Sequence, residues 1–260
     1  MLFEIQLLTS FVAGGLLIAL QTLIAERVSL KWRGIVLTVP TTMALGIFFV
    51  GLTKTAGDIP DLVRVIPAAI SAVYVFVVIF ALLARYGIIP AFVGAYAGWG
   101  VLAYLLIQYP PASFGISILY AVPVVTLMYL IVRKLPQVSE LKVYPMNFNH
   151  ILIRSLIGGV IIVAVVFLAK TLGNVWGGMF SAFPASYTAT FLIYHVLQGG
   201  RAISSVAKSL FLPGIPGFIL YAYISALTFP EYGIWIGTLA AYAVTMLYFM
   251  LWMKVRERFI

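Results

Sequence analysis

Long apolar stretches follow one another along this chain, and they constrain its fold more than any other feature. A transmembrane helix needs about 20 consecutive apolar residues, and nine such stretches take up most of the 260 residues. Only 9% of the residues are charged, against about 25% in a soluble domain. The sequence therefore predicts an all-α integral membrane protein whose main partner is the lipid bilayer. It argues against a soluble enzyme, a disordered chain and a nucleic-acid-binding domain.

The distribution of charge predicts how the spans are oriented. The predicted spans cover residues 6–25, 34–52, 65–84, 88–107, 113–132, 151–169, 175–197, 210–228 and 233–253. With the N-terminus outside, 13 of the 16 Lys and Arg residues fall inside and 3 outside, and removing the fifth span, which contains Pro123, degrades the split to 11 against 5. Cytoplasmic loops collect Lys and Arg, so the net charge of +9 is attributed to this rule and not to a nucleic-acid partner. We expect a multi-pass protein of the cytoplasmic membrane, with the N-terminus outside and the C-terminus inside.

The two halves of the chain resemble each other when the sequence is shifted. An offset of 144 aligns Gly14-Gly15 with Gly158-Gly159, Trp32 with Trp176, Gly34 with Gly178 and Pro40 with Pro184, and an offset of 146 aligns Tyr86-Gly87 with Tyr232-Gly233. The pattern predicts a four-helix repeat at 1–109, a linker helix and cytoplasmic loop at 110–150, and a second four-helix repeat at 151–260. A single linker helix reverses the orientation of the second repeat. Secondary transporters often have such inverted repeats, with the substrate site near the midplane; the alternative is a duplication that only stabilises a bundle.

The segment around Pro184 carries a resemblance to a known family. Gly178-Met-Phe-Ser-Ala-Phe-Pro184-Ala-Ser-Tyr-Thr188, followed by His195 and a Gly199-Gly200 loop, is similar to the GlpM-type inner-membrane proteins. These are small four-helix proteins with a Gly…Phe-Pro-Thr element that opens their second helix. The resemblance covers roughly 151–253 and extends more weakly to the first repeat. It implies two such modules fused head to tail through one extra helix, and it implies architecture without any particular chemistry.

No constellation of catalytic or metal-ligating residues is visible in the sequence. The seven acidic residues fall at span ends or in loops, whereas coupled transporters usually carry intramembrane carboxylates as relays. Cysteines are absent, and the two histidines, His150 and His195, are far apart in the sequence. We therefore expect no enzyme activity, no cofactor and no metal, and we expect a neutral or anionic solute in preference to a cation.

The strongest candidate site is a pair of prolines at equivalent positions of the second and seventh spans. A proline removes one backbone hydrogen bond and obstructs another, and in lipid the freed groups need other partners. Hydroxyl side chains surround both prolines, so carbonyls and hydroxyls together offer ligands to a small polar solute. The predicted substrate-binding residues are Thr38, Pro40, Thr41, Thr42, Ser181, Pro184, Ser186, Thr188 and His195. The alternatives are a kink satisfied by those same hydroxyls and, for His195, a position at the membrane interface.

Small residues predict two helix–helix contacts. Gly14, Gly15, Gly158 and Gly159 are expected to let the first helices of the two repeats pack closely, because small residues permit close backbone approach in membranes. Gly94 and Gly98 form a GxxxG motif in the fourth span. This motif predicts either a homodimer seam or packing within the chain.

These patterns together predict a transporter or facilitator of a small solute, with its site between the two proline-broken helices. A narrow channel lined by the same hydroxyls is a second hypothesis. A third is a non-transporting scaffold or assembly protein, which would tolerate substitution of both prolines. A fourth is a flippase for phosphate-bearing lipids, for which Arg154 and Lys170 on the sixth span are the only indications.

Overall fold

The computed structural model describes residues 2–27, 36, 38–53, 56–136 and 147–259. Within these ranges the chain is almost entirely helical and contains no strand. The predicted all-α class is therefore confirmed. Trp32 and Gly34, which contribute to the repeat alignment, lie outside the described residues.

The helices follow the predicted spans closely. In chain order they are α1 (Leu2–Arg27), α2 (Thr41–Thr53), α3 (Ile59–Val63), α4 (Ile66–Leu83), α5 (Ile88–Gln108), α6 (Phe114–Val132), α7 (Phe148–Leu172), α8 (Asn174–Ser181), α9 (Ala185–Gln198) and α10 (Ile203–Phe259). Helix α10 is interrupted at Gly233, which has φ +75° and ψ +170°. Gly87, between α4 and α5, has φ +124° and ψ +166°. Glycine is the residue that adopts positive φ without strain, and these two turns lie 146 residues apart.

Six helical segments of the described chain are long and apolar enough to cross a membrane. They are Phe3–Gln21, Ile59–Tyr86, Ile88–Gln108, Phe114–Val132, Phe148–Leu172 and Gly214–Val255. The last segment contains most of the eighth predicted span and all of the ninth. The predicted spans 34–52 and 175–197 are not among the six, because each is interrupted and its helices are shorter. The six segments indicate a multi-pass membrane protein.

Helix α4 occupies the centre of the bundle. Nearly all of its residues are buried, and it packs against α5, α6 and α10. A helix that is apolar on every side belongs in such an interior position. By contrast, α1, α5, α6 and α10 expose large apolar side chains, among them Leu16, Val93, Leu119 and Leu239. An outward-facing apolar surface of this kind suits contact with lipid.

The described turns gather at two ends of the bundle. At one end, the turn Ala84–Tyr86 packs on the turn Gly200–Ala202, and the Ser204 hydroxyl donates a 2.7 Å hydrogen bond to the Pro136 carbonyl oxygen. At the other end, the turn Ala56–Asp58 packs on α10. The segments at the first end carry several basic residues, Arg85, Arg133, Lys134 and Arg201. This is the end that the sequence predicts to face the cytoplasm.

Candidate functional site

The helical geometry is interrupted at Pro40, immediately before α2. A backbone hydrogen bond between residues two apart replaces the helical bond between residues four apart. The N–H of Thr41 donates to the carbonyl oxygen of Val39 at 2.7 Å, which closes a three-residue γ-turn around the proline. The side-chain amide of Gln21 on α1 donates to the carbonyl oxygens of Val36, at 2.7 Å, and Val39, at 3.3 Å. Helix α1 therefore satisfies the carbonyls freed by the break, and the sequence analysis did not identify Gln21 as their partner.

The junction of α8 and α9 at Pro184 has the same local geometry. The N–H of Ala185 donates to the carbonyl oxygen of Phe183 at 2.7 Å, and Pro184 has φ −75° and ψ +43°, close to an inverse γ-turn. The hydroxyl of Thr188 donates to the Pro184 carbonyl oxygen at 2.8 Å. It shares a second hydrogen bond of 2.7 Å with the hydroxyl of Tyr96 on α5. Thr188 thus closes the break and ties it to a neighbouring helix.

The contacts between α1 and α7 repeat with the same offset of 144 residues. Gly14 on α1 lies against Ile162 on α7, and Gly158 on α7 lies against Ile18 on α1. Adding 144 to the α1 residue of one contact gives the α7 residue of the other. Such reciprocal contacts are those of an interface with two-fold symmetry, in which residue i contacts j and j contacts i.

The two breaks meet at a single pair of hydroxyls. Thr42 Oγ1 and Ser186 Oγ lie 3.2 Å apart and share a hydrogen bond. These two residues are themselves 144 positions apart in the sequence. A residue that contacts its own counterpart lies on the axis relating two copies, so the hydroxyl pair marks the point where the reciprocal contacts converge.

A small cavity of about 30 Å³ lies beside this hydroxyl pair. Its wall is formed by both breaks together with side chains of α4 and α10, namely Val39, Thr41, Thr42, Met43, Ile70, Val73, Tyr74, Ser181, Ala182, Phe183, Ser186, Tyr187 and Phe218. A water molecule needs about 10–15 Å³ of such space. The cavity therefore has room for about two water molecules, or for one polar group of a solute.

Two tyrosines bring further hydroxyls to the cavity, and the sequence analysis missed both. Tyr74 on α4 is 1% exposed and Tyr187 on α9 is 7% exposed. Within the described chain, neither hydroxyl makes a hydrogen bond of ordinary geometry. Tyr187 directly follows the predicted Ser186, and Tyr74 carries a hydroxyl inside a span that is mostly apolar. Those two positions were the available signals.

The structure gathers some of the predicted site residues and separates others. Thr41, Thr42, Ser181 and Ser186 line the cavity, and the two prolines form the turns beside it. Thr38 is buried and Thr188 is bonded to Tyr96, but neither lines the cavity. His195 lies at the end of the bundle, where its Nε2 donates a 3.0 Å hydrogen bond to the Ala84 carbonyl oxygen. That carbonyl ends α4, so the geometry of His195 is that of a helix cap.

No side chain that the structure describes in the cavity wall is charged. The wall instead combines hydroxyl donors and acceptors with aromatic and aliphatic surface. Burying an ion without a partner is far more costly than burying a hydrogen-bonded neutral group. The surroundings therefore favour a neutral guest.

The GxxxG motif of α5 is engaged within the chain. A Cβ built on Gly98 would meet Val75 Cγ1 of α4 at 3.1 Å, and Gly94 lies against Leu83 and Ile79 of the same helix. Of the two alternatives for this motif, the structure shows packing within the chain. This motif therefore does not support the predicted homodimer.

An open apolar groove of about 710 Å³ lies between α6 and α10, with Phe114, Ile215 and Tyr223 in its wall. Its lining is almost wholly apolar and it lies apart from the hydroxyl pair. The small cavity is therefore the stronger candidate for binding a polar solute.

Compared with models of protein families, with curated proteins and with solved structures, the chain gives no significant match.

Proposed function

We propose that this protein is a membrane transporter or facilitator of a small solute that binds between the two proline breaks. The observation that carries the proposal is the hydroxyl-lined cavity beside the Thr42–Ser186 hydrogen bond. Interrupted helices that meet in the middle of a bundle are the usual setting of a transporter's substrate site. In the proposed arrangement, nine spans form two inverted repeats in the cytoplasmic membrane, with the N-terminus outside.

The direction of the helices supports the inverted arrangement. Lys170, near the end of α7, lies over the Phe3 ring at the start of α1, 3.7 Å from its centroid. Gly158, in the first half of α7, contacts Ile18 in the second half of α1. The two helices are therefore antiparallel. Equivalent helices that run antiparallel and make reciprocal contacts are what two oppositely inserted repeats would produce.

The small size of the cavity is interpreted as a narrow state of the solute path. Loops of backbone at membrane depth are tolerated where they are buried in protein or line a water-filled cavity. A bundle that serves only as a scaffold gains nothing from two breaks placed around a void. A transporter, in contrast, has to open this cavity towards each side of the membrane in turn.

Cysteine labelling tests the proposal directly, because the chain has no cysteine of its own. Thr42→Cys places a thiol in the cavity wall. We expect a small water-soluble methanethiosulfonate reagent to label it in right-side-out vesicles and also in inside-out vesicles. Ser225→Cys is the matched control, since Ser225 is fully buried away from the cavity, and it should stay unlabelled.

The alternatives give different results in the same vesicles. A static scaffold leaves Thr42→Cys as unreactive as Ser225→Cys on both sides, and that outcome contradicts the proposal. A narrow channel gives labelling from both sides, but a solute on the far side does not accelerate uptake through it. A carrier shows this acceleration by exchange, so counterflow of the transported solute separates the two.

A further inference from the structure

We propose that the ligand of this cavity is a small uncharged molecule with a hydroxyl or amide group, and that the hydroxyls of Tyr74 and Tyr187 bind it. This inference rests on the proposed transport function and names its substrate class. It depends on three features of the cavity, which are its unpartnered hydroxyls, its size and its lack of charge.

The unpartnered hydroxyls supply the first step. Buried polar groups in proteins nearly always have a hydrogen-bond partner, and a buried group without one calls for an explanation. Tyr74 and Tyr187 both line the cavity and are almost fully buried. Their hydroxyls interact with each other, but in the described chain neither makes a hydrogen bond of good geometry to any group. A polar guest in the cavity would supply the missing bonds. Tyrosine hydroxyls both donate and accept, so a guest that does the same suits them.

Gly214 on α10 lets the two hydroxyls pack close to its backbone. A Cβ built at this position would lie 2.7 Å from Tyr74 Oη and 3.4 Å from Tyr187 Oη. Both hydroxyls therefore approach a position where the absence of a side chain makes room for them. A methyl group there would push the Tyr74 hydroxyl out of its present position.

The size and the electrostatics of the cavity define the ligand class. A volume of about 30 Å³ admits a hydroxyl or amide group but not a sugar ring. The described wall offers hydroxyls alone as polar side-chain groups and contains no charge to pair with an ion. Urea and glycerol are small probes of this class; one polar group of either fits the cavity as it stands, so their passage requires the cavity to widen. Mannitol is too large, and nitrate is similar to urea in size but carries a charge.

The experiment measures solute entry into liposomes that contain the purified full-length chain. Stopped-flow light scattering follows volume recovery after mixing with urea, glycerol, mannitol or nitrate. We expect the protein to accelerate recovery with urea or glycerol well beyond the rate of protein-free liposomes, and to leave recovery with mannitol and nitrate unchanged.

Three substitutions assign the effect to the named residues. Tyr74→Phe and Tyr187→Phe should each lower the protein-dependent rate by about twofold to tenfold, the effect of one lost hydrogen bond. Gly214→Ala should also lower it. Tyr221→Phe is the matched control, because the Tyr221 hydroxyl is likewise buried and makes no hydrogen bond of good geometry among the described residues, but Tyr221 does not line the cavity. The Phe variants should unfold at the same temperature as the native chain or higher, which excludes a folding defect.

The outcomes separate this inference from the proposed function. Entry of nitrate without urea or glycerol overturns the neutral ligand class and leaves transport in place. Failure of every probe, while Thr42→Cys is labelled from both sides, also overturns the inference alone. Failure of every probe together with an unreactive Thr42→Cys overturns the transport function as well. If urea or glycerol enters and Tyr74→Phe and Tyr187→Phe change the rate no more than Tyr221→Phe does, the two tyrosines do not bind the solute.

Discussion

At the scale of single residues, the close approach of α1 and α7 depends on glycine. A Cβ on Gly159 would lie 2.9 Å from the backbone oxygen of Phe11, and a backbone atom cannot move aside as a flexible side chain can. We expect Gly159→Ala to destabilise the folded protein by about 1–3 kcal/mol, as overpacking usually does. Thermal unfolding in detergent micelles measures the change.

Gly100 provides the matched control for that substitution. It also lies within a helix, α5, but no described atom lies within 4 Å of a Cβ built there. Alanine favours a helix over glycine by about 1 kcal/mol, so Gly100→Ala should leave the unfolding temperature unchanged or raise it. If Gly159→Ala lowers the unfolding temperature no more than Gly100→Ala does, the close contact of α1 and α7 is contradicted.

His195 differs from the other predicted site residues in what it contacts. Its ring nitrogen donates to the carbonyl at the end of α4, so the residue stabilises that helix end. We expect His195→Ala to lower stability by about 1 kcal/mol, the usual contribution of one hydrogen bond. Urea or glycerol entry per folded molecule should stay the same, and a selective loss of entry at unchanged stability would return His195 to the solute site.

At the scale of helices, the two proline breaks set the shape of the site. Alanine at position 40 or 184 restores a backbone N–H and removes the ring that opposes helical geometry. We expect Pro40→Ala and Pro184→Ala to keep the stability within about 1 kcal/mol of the native chain, because the restored helical bonds offset the lost turn. Solute entry and Thr42→Cys labelling should be lost, since a continuous helix closes the cavity.

Pro123 is the control for both substitutions. It lies inside α6, which runs without interruption from Phe114 to Val132. Pro123→Ala should therefore preserve both solute entry and labelling. Unchanged solute entry and labelling in Pro40→Ala and Pro184→Ala would instead show that the proline breaks are not needed for transport.

The sequence predicted the helices better than it predicted the site. Runs of apolar residues and positions of Pro and Gly locate helices, because membrane thickness and backbone sterics act on consecutive residues. The partner of the first break, Gln21, could not be found in this way, since it comes from a helix that only the packing brings alongside. Tyr74 was missed although a hydroxyl in a mostly apolar span was a signal, because only the packing places that hydroxyl beside the breaks. His195 was placed with the prolines because it follows Pro184 in sequence, but eleven residues of helix carry it to the end of the bundle.

At the scale of the whole molecule, the two ends of the bundle contain equivalent turns. Tyr86, just before Gly87, and Tyr232, just before Gly233, occupy matching positions of the repeat alignment. They are 64% and 59% exposed, so a cysteine at either position is accessible to reagents. The proposed inverted repeats place Tyr86 inside the cell and Tyr232 outside.

Single-cysteine variants at these two turns decide whether the repeats are inverted. We expect a membrane-impermeant maleimide to label Tyr232→Cys in intact cells and to label Tyr86→Cys only in inside-out vesicles. Each variant serves as the control for the other, because the two turns have the same kind of glycine and similar exposure. Positive-inside counting predicts the same result, since Arg85 and Arg201 flank the inner turns while Glu231 flanks the outer one. Labelling of both variants from one side would contradict inverted repeats, and the reciprocal contacts between α1 and α7 would then require an explanation other than two oppositely inserted halves.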